Sequence, residues 1–239
     1  MEPEILYEDE NIIAINKPAG LVVHSDGKTD EKTLVDWIIK KYPEIKEVGE
    51  PGRDAEGKVI FRPGIVHRLD RETSGVMLIA KNQKSFDNLK KQFQDHEIKK
   101  TYHAFVYGEM KGDEGTINRP IGRSSKDFRM WSAQRGARGE MREALTKYKV
   151  LERGKGYSFV EVTPETGRTH QIRVHFKAVN YPLVGDSLYV GSRENELGFT
   201  RTALHSYEII FKDLSGHFQT VTAPYPEDFL QAKNILQSS

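Results

Sequence analysis

The chain has 239 residues, of which 37% are hydrophobic, enough for one core of good size or two small ones. Its 36 Lys and Arg residues balance 35 Asp and Glu, so the net charge of +1 gives no overall signature of nucleic-acid binding. The lack of cysteine excludes disulfides, thiolate catalysis and Cys-ligated zinc. The acidic start "MEPEILYEDE" and the absence of a long apolar run predict a cytoplasmic protein with no signal peptide and no membrane span.

The first half of the chain alternates strand-like and helix-like patterns. The predicted elements, in chain order, are a hairpin over 5–18, a helix over 34–42 that Pro43 ends, an exposed loop over 44–62, a strand over 76–81, a helix that Asn82 caps, and a strand over 101–108. Apolar residues of the second helix fall on one face, which indicates that it packs on a core.

The second half predicts further strand pairs. Its predicted elements are strands over 142–151 and 157–163 joined by the turn "RGKG", a helix after Thr169 as a candidate cap, a hairpin around "KDLSG", and a final helix beginning at Pro226. Strand pairs outnumber β-α-β alternations, so the pattern predicts an α+β fold with a largely antiparallel mixed sheet and flanking helices.

Several familiar catalytic signatures are missing. The histidines His67, His170, His175 and His205 do not form an H-x-x-x-H pattern with a carboxylate between them, so no metal site is predicted. "GRSSKDFR" is not a phosphate-binding loop, and Ser74 in "RETSGV" is not in a nucleophile elbow.

Positive charge is concentrated in one segment, residues 118–142, which we call the basic tract. It contains seven basic residues, Arg119, Arg123, Lys126, Arg129, Arg135, Arg138 and Arg142, against two acids. Phe128 and Trp131 lie among them, and arginines interleaved with aromatic rings suit phosphate neutralisation and base stacking. The tract has the composition of a loop, so a merely solvated loop is the alternative to an RNA-binding one.

The most charged short stretch is "GIVHRLDRETSG", residues 64–75. Asp70 stands between Arg68 and Arg71, and a nearby arginine keeps a carboxylate ionised at neutral pH. Such a group is either half of a structural ion pair or a catalytic carboxylate, and this motif alone favours neither. A second stretch, "GRTHQIRVH", supplies Arg168 and Arg173 at the start of a helix, and either arginine could pair with a catalytic carboxylate.

Six segments together resemble the RluA-type family of RNA pseudouridine synthases. They are "NKPAGLVVH" (16–24), "RPGIVHRLDRETSGVMLIAK" (62–81), "KKTYHAFVYG" (99–108), "GRTHQIRVHF" (167–176), "YPLVGDSLY" (181–189) and "ALHSYEIIF" (203–211). The likeness begins near residue 5, so the resemblance predicts a single catalytic domain over 1–239, with an active-site cleft across the sheet and no separate N-terminal RNA-binding domain.

The resemblance implies isomerisation of specific uridines in ribosomal or transfer RNA, with base flipping and without a cofactor. It assigns the essential carboxylate to Asp70, as nucleophile on the sugar or ring or as base at C1′. Tyr102 would lie against the flipped base, Arg173 would pair with Asp70, Leu204 would wall the uracil pocket, and Arg68 would replace the base or contact its phosphate.

Without an added RNA-binding domain, the catalytic domain would hold the RNA itself, which predicts that Arg119, Arg123, Lys126 and Arg129 contact it. A monomer is the default expectation for the oligomeric state. Two other functions are open. One is a non-catalytic RNA-binding or ribosome-assembly factor on the same scaffold. The other is a glycosidase, which needs a second carboxylate across the scissile bond, and Glu72 lies only two residues from Asp70.

Overall fold

The computed structural model describes residues 2–24, 31–53, 57, 59–134, 137–191 and 193–238. Its helices are α1 (Leu34–Lys41), α2 (Gln83–Gln94), α3 (Gln171–Ala178), α4 (Ser187–Val190) and α5 (Glu227–Gln237), with a 3-10 helix at Pro43–Glu47. Its strands are β1 (Glu4–Glu8), β2 (Ile12–Lys17), β3 (Gly52–Arg53), β4 (Val59–Ile60), β5 (Ser74–Ala80), β6 (Lys99–Tyr107), β7 (Glu114–Asn118), β8 (Ile121–Arg123), β9 (Trp131–Ser132), β10 (Arg138–Arg142), β11 (Leu145–Gly154), β12 (Tyr157–Pro164), β13 (Leu204–Lys212) and β14 (Phe218–Thr222). Across these ranges, no helix is both long and apolar enough to cross a bilayer.

The chain forms two compact units, residues 1–99 with 206–224 and residues 100–205 with 225–239. In the first unit β1 pairs with β2, β2 with β5 and β13 with β14, all antiparallel. In the second unit β6, β12, β11 and β7 pair in that order, again antiparallel. These pairings confirm the predicted α+β class with a largely antiparallel sheet. The prediction of one catalytic domain over 1–239 stays a prediction.

The helix after β5 forms as its sequence predicts. The Asn82 side chain accepts a hydrogen bond from the Ser85 N–H and caps α2. Phe86 and Leu89 then lie in one apolar cluster with Leu78 of β5. All residues of β5 are therefore buried in the first unit, and the segment before β5 leads directly into this buried strand.

Strand β6 divides its side chains between two clusters of the second unit. Ala104 and Val106 pack in one cluster, whereas Phe105 and Tyr107 pack in another. This division follows from the two-residue period of a strand, which points alternate side chains to opposite faces. Tyr102 has the parity of Ala104 and packs against the same cluster.

Residues 44–62 and the start of α3 differ from the prediction. Residues 43–47 form a 3-10 helix that buries Ile45, so this segment is only partly an exposed loop, and residues 54–56 and 58 lie outside the described ones. Helix α3 is preceded by His170 in the left-handed region at φ 56°, and Thr169 is not its cap. The Gln171 side-chain oxygen accepts from the Arg168 N–H at 3.0 Å, so the helix's first residue satisfies the preceding turn.

The basic tract is not the loop that its composition predicts. Strand β8 pairs with β10 on one side and with β9 on the other, forming a separate three-stranded sheet. Its pairings join Arg123 to Arg138 and to Trp131, which are separated by many residues of sequence. Such pairing carries no short-range signal in a glycine- and arginine-rich segment. Arg135 and Gly136 lie outside the described residues.

Candidate active site

Asp70 lies in the connection between β4 and β5, in a turn closed by a backbone hydrogen bond. The Thr73 N–H donates to the Asp70 carbonyl oxygen at 3.1 Å. Leu69 and Thr73 are buried, while Asp70 itself is half-buried. The turn thus anchors its apolar and small residues in the protein and leaves the carboxylate-bearing residue within reach of solvent.

A buried lysine holds this turn through hydrogen bonds. Lys17, at 0% exposure, donates from Nζ to the carbonyl oxygens of Pro18 at 2.9 Å, Leu21 at 2.9 Å and Arg71 at 3.1 Å. The Gly20 N–H donates to the same Arg71 oxygen at 2.8 Å. An ammonium group has three donors, and here each finds a carbonyl, which is how a buried charge is tolerated. The residue after Asp70 is therefore tied to the segment that follows β2.

At Gly75, the second residue of β5, the backbone lies too close to Ser206 for any side chain. A Cβ atom at Gly75, where φ is +108°, would stand 2.1 Å from the Ser206 carbonyl oxygen, so only glycine fits. His67 Nε2 accepts the Leu78 N–H at 2.9 Å, and its ring stacks on Phe93 with centroids 4.6 Å apart. His67 serves here as an anchor of the loop on β5.

The two arginines that flank Asp70 in sequence contact other partners. Arg71 forms an ion pair with Glu31, and Arg68 Nη1 lies 3.2 Å from His24 Nε2. Both arginines are exposed. The family resemblance pairs Asp70 with a different cation, Arg173.

Arg173, on α3 of the second unit, forms a buried bidentate ion pair with Asp186. Its Nε lies 2.8 Å from Oδ2 and its Nη2 lies 2.8 Å from Oδ1. The side chains are 10% and 1% exposed. Asp186 also accepts from the Tyr189 N–H at 3.2 Å and caps α4, and the Tyr189 ring centre lies 5.0 Å from the guanidinium carbon of Arg173. The Arg173 guanidinium is therefore held along one edge by Asp186 and lies against the Tyr189 ring with one face.

Asp186 is a residue to which sequence reasoning assigned no role. Its segment, "YPLVGDSLY", contributed to the family resemblance only as a pattern. A glycine followed by Asp and Ser before apolar residues is a helix-capping signal, which could have singled out Asp186. Its pairing with Arg173, across 13 positions, has no such signal. The contact of Arg173 with Asp70 stays a prediction.

Tyr102 and Leu204 belong to the same apolar cluster of the second unit. Leu204 is 4% exposed within this cluster, where it is joined by Ile172, and Tyr102 packs against it. Tyr102 lies opposite Val162 in the β6–β12 pairing. The structure thus places the two residues predicted to line a uracil pocket in one cluster. Ile172, which precedes Arg173 in sequence, belongs to the same cluster.

The predicted alternative, Arg168, has a structural role. Its Nε donates to the Glu143 carbonyl oxygen at 3.0 Å.

A different cation, Lys100, lies two positions before Tyr102 in β6, so its side chain leaves the strand on the same face as that of Tyr102. Burial lowers the pKa of Lys100, and the nearby charge of Glu165 opposes that shift. Lys100 carries no obvious signal in a sequence that is rich in lysine.

The histidines of the second unit are bound to neighbouring groups. His170 Nδ1 lies 2.9 Å from the Tyr189 hydroxyl, and His175 lies 2.9 Å from both Thr146 Oγ1 and the Arg119 carbonyl oxygen. Burial lowers the pKa of His175. Across the part of the chain that the structure describes, no group of three or more His, Asp or Glu side chains is arranged to hold a metal ion.

The four predicted RNA-contacting residues of the basic tract differ in their surroundings. Arg119 Nη1 donates to the Ala178 carbonyl oxygen at 3.0 Å. Arg123 stacks on the ring of Trp131, with 4.3 Å between its guanidinium carbon and the ring centre. Lys126 is exposed.

Arg129 is the fourth of them, and it pairs with Asp127 within the tract. Its Nη2 lies 2.7 Å from Asp127 Oδ2. The hydrogen bond from Arg129 lowers the pKa of Asp127, and Asp127 raises that of Arg129. The charge of Arg129 is therefore partly neutralised within the tract, unlike that of Arg123, which lies on an aromatic ring.

Comparison with known proteins identifies the family of this chain. A family model described as RNA pseudouridylate synthase matches residues 11–178. An uncharacterized RNA pseudouridine synthase of Synechocystis sp. is 39% identical over 95% of this chain and 66% of its own length. A ribosomal large subunit pseudouridine synthase D of Pseudomonas aeruginosa is 35% identical over 99% of this chain and 72% of its own. This chain spans 63 to 72% of the length of the first three curated relatives.

A solved structure shares the fold. Human RNA pseudouridylate synthase domain containing 1 superimposes with a TM-score of 0.75 at 26% identity, covering 94% of this chain and 84% of that one. The family match spans well over half of the chain and includes Asp70, Tyr102 and Arg173. The chain therefore belongs to the family of RNA pseudouridine synthases.

Proposed function

We propose that this protein isomerises specific uridines in structured RNA to pseudouridine. The N1–C1′ glycosidic bond breaks, a C5–C1′ bond forms, the C5 proton is lost and N1 gains a proton, so there is no net oxidation or reduction. The observation that carries the proposal is the family match over residues 11–178, which contains the motif around Asp70. The rigid turn that bears Asp70 is consistent with this role, because catalysis requires a fixed geometry.

Asp70 is the proposed catalytic group, acting at C1′ or C6 as a nucleophile or at C1′ as a base. Arg173 is proposed to pair with it and to hold it ionised. The contact of Arg173 with Asp186 uses Nε and Nη2. Asp186 would then hold the guanidinium in one orientation for that pairing.

The uridine is proposed to leave its stack and to lie against Tyr102 and Leu204. An aromatic ring and an apolar wall suit a flipped base, and unstacking costs a few kcal/mol, less in a loop. Arg68, which is exposed, is proposed to fill the vacated position or to contact its phosphate. Tyr102 is half-buried and Arg68 is exposed, which leaves both side chains surface for these contacts.

The substrate is proposed to be ribosomal or transfer RNA, held by Arg119, Arg123, Lys126 and Arg129 of the basic tract. The relatives named ribosomal large subunit pseudouridine synthase D favour ribosomal RNA. Arginines and aromatic rings on a small sheet suit phosphates and unstacked bases. A cytoplasmic location and a monomeric state stay predictions.

The test is tritium release from RNA labelled at uracil C5, taken from a strain that lacks the protein. Wild-type protein should release tritium, and Asp70→Asn should release none while its circular dichroism and unfolding stay those of the wild type. Asp87→Asn, an exposed carboxylate on α2, is the matched control and should keep full activity. The absence of release by wild-type protein would refute the activity, and an active Asp70→Asn variant would refute the assigned role.

A further inference from the structure

The second unit contains a cavity between the basic tract and α3, and one of its walls is Lys126, a proposed RNA contact. Its volume is about 140 Å³, and its walls include Ser124, Lys126, Trp131, Ser132, Lys177 and Tyr189. Of the described residues that line it, two are lysines and none is a carboxylate. This lining favours an anionic ligand over a cationic one.

The volume of the cavity matches a single ring. An apolar cavity of about 150 Å³ holds one benzene molecule, so a whole nucleotide is too large but a base is not. Trp131 and Tyr189 supply aromatic surface, and the hydroxyls of Ser124 and Ser132 supply hydrogen-bonding groups. The sugar and phosphates of such a base would remain outside, where Lys126 is exposed.

The walls of the cavity are already held in place. The backbone N–H of Trp131 donates to the Tyr189 hydroxyl at 3.0 Å, and Lys177 Nζ donates to the Tyr189 carbonyl oxygen at 2.6 Å. Arg123 covers one face of the Trp131 ring. A site whose side chains are fixed before binding loses little conformational entropy when a ligand enters.

We infer that this cavity takes one unpaired base of the substrate RNA, other than the uridine that reacts. The inference rests on the proposed function, because it assumes an RNA substrate. It assigns to the basic tract a stacking pocket in addition to its phosphate contacts. A loop in which one nucleotide is unpaired at a fixed distance from the target would then be preferred over a continuous duplex.

Trp131 reports directly on the occupancy of this cavity. The chain has two tryptophans, so Trp37→Phe leaves Trp131 as the only one. A stem–loop RNA with unpaired bases should quench the fluorescence of this variant saturably. A fully paired duplex of equal length should not quench it at matched ionic strength. Equal quenching by both RNAs would show that the tract binds phosphates alone and would overturn the inference.

Matched variants separate the cavity from the rest of the tract. Trp131→Ala should raise the Kd for the stem–loop about tenfold, the size of one base–aromatic stack. Phe128→Ala removes an aromatic residue of the same tract that is 83% exposed and is not among the cavity's lining residues, so its Kd should stay near that of the wild type. Ala133→Leu, which narrows the cavity and leaves Trp131 in place, should weaken binding as Trp131→Ala does. Equal effects of Trp131→Ala and Phe128→Ala would refute the pocket.

Failure of the inference is distinct from failure of the proposed function. Tritium release together with equal quenching by the two RNAs would remove the cavity as a base site and leave the enzyme intact. Selective quenching without tritium release by any RNA would support the cavity as a site for an unpaired base and refute the activity. Tyr189 is unsuitable as a variant, because its ring also contacts Arg173.

Discussion

The guanidinium of Arg173 and the carboxylate of Asp186 form a buried bidentate pair with two N–O distances of 2.8 Å. Taking both charges out of water costs free energy, which the pair recovers only through good geometry and further hydrogen bonds. Asp186 obtains such a bond from the Tyr189 N–H. The pair therefore adds little net stability, but it gives Arg173 a single orientation, which is what a positioning cation for a catalytic carboxylate requires.

Replacing Asp186 with Asn should separate the role of Asp186 in orienting Arg173 from its role in capping α4. Asparagine still caps a helix well, but it leaves the buried Arg173 charge without a carboxylate. We expect the free energy of unfolding in urea to fall by about 3 kcal/mol and tritium release to fall at least tenfold at temperatures where the variant is folded. Asp228→Asn, whose carboxylate pairs with Arg201 and is 30% exposed, should cost less. Wild-type activity in Asp186→Asn would show that Arg173 needs no second partner.

Lys17→Met should loosen the turn that bears Asp70. Methionine fills similar space but donates no hydrogen bond, so three carbonyl oxygens in the buried surroundings of Lys17 lose a donor. We expect a loss of about 3 kcal/mol in unfolding free energy and a lower kcat, because the turn that carries Asp70 is no longer fixed. Lys90→Gln, from the exposed pair with Glu50, is the surface control and should be near neutral. A Lys17→Met variant with wild-type stability would contradict the anchoring role.

Local chemistry explains which parts of the fold were predictable. The Asn82 cap, the hairpin of β1 and β2, and the strand over β5 depend on neighbouring residues, and each forms as predicted. Charged motifs singled out Asp70 and Arg173, the family resemblance added Tyr102 and Leu204, and the structure places the latter two in one cluster. Patterns of short range and whole motifs are thus enough to find the elements and the candidate residues.

Contacts between distant segments explain the rest. Strands β8, β9 and β10 pair across a segment whose composition is that of a loop, so local propensity carried no sign of a sheet. The role of Asp186 likewise depends on Arg173, 13 positions away in sequence, being nearby in space. Each of these needs the folded chain, because the partners are chosen by packing.

Salt dependence should distinguish Arg123 from Arg129. Removing one cation from a phosphate reduces the slope of log K against log salt by about 0.7 to 0.9. Arg123→Gln should lower the slope by about this amount, whereas Arg129→Gln should lower it less, since Asp127 already pairs with Arg129. Asp127→Asn should steepen the slope. The measurement is the RNA Kd at several salt concentrations, and equal slopes in all three variants would place the RNA contacts outside the tract.

Acid should destabilise the protein through His103. Burial, aided by the nearby charge of Lys233, lowers the pKa of His103 to about 4 from an ordinary value of 6.5. The histidine is neutral in the folded state while the unfolded chain takes up a proton, so stability is full above pH 6.5 and falls as the pH drops towards 4. From about pH 7 to about pH 5 we expect His103 to account for a loss of about 2 kcal/mol in the free energy of unfolding in urea, which His103→Gln should abolish. Because burial also lowers the pKa of His175, some pH dependence of the same sign should remain in His103→Gln. The control for the substitution itself is His217→Gln, which replaces a histidine whose side chain is 79% exposed and so removes no buried ring. An unchanged profile in His103→Gln would show that this histidine does not link folding to pH.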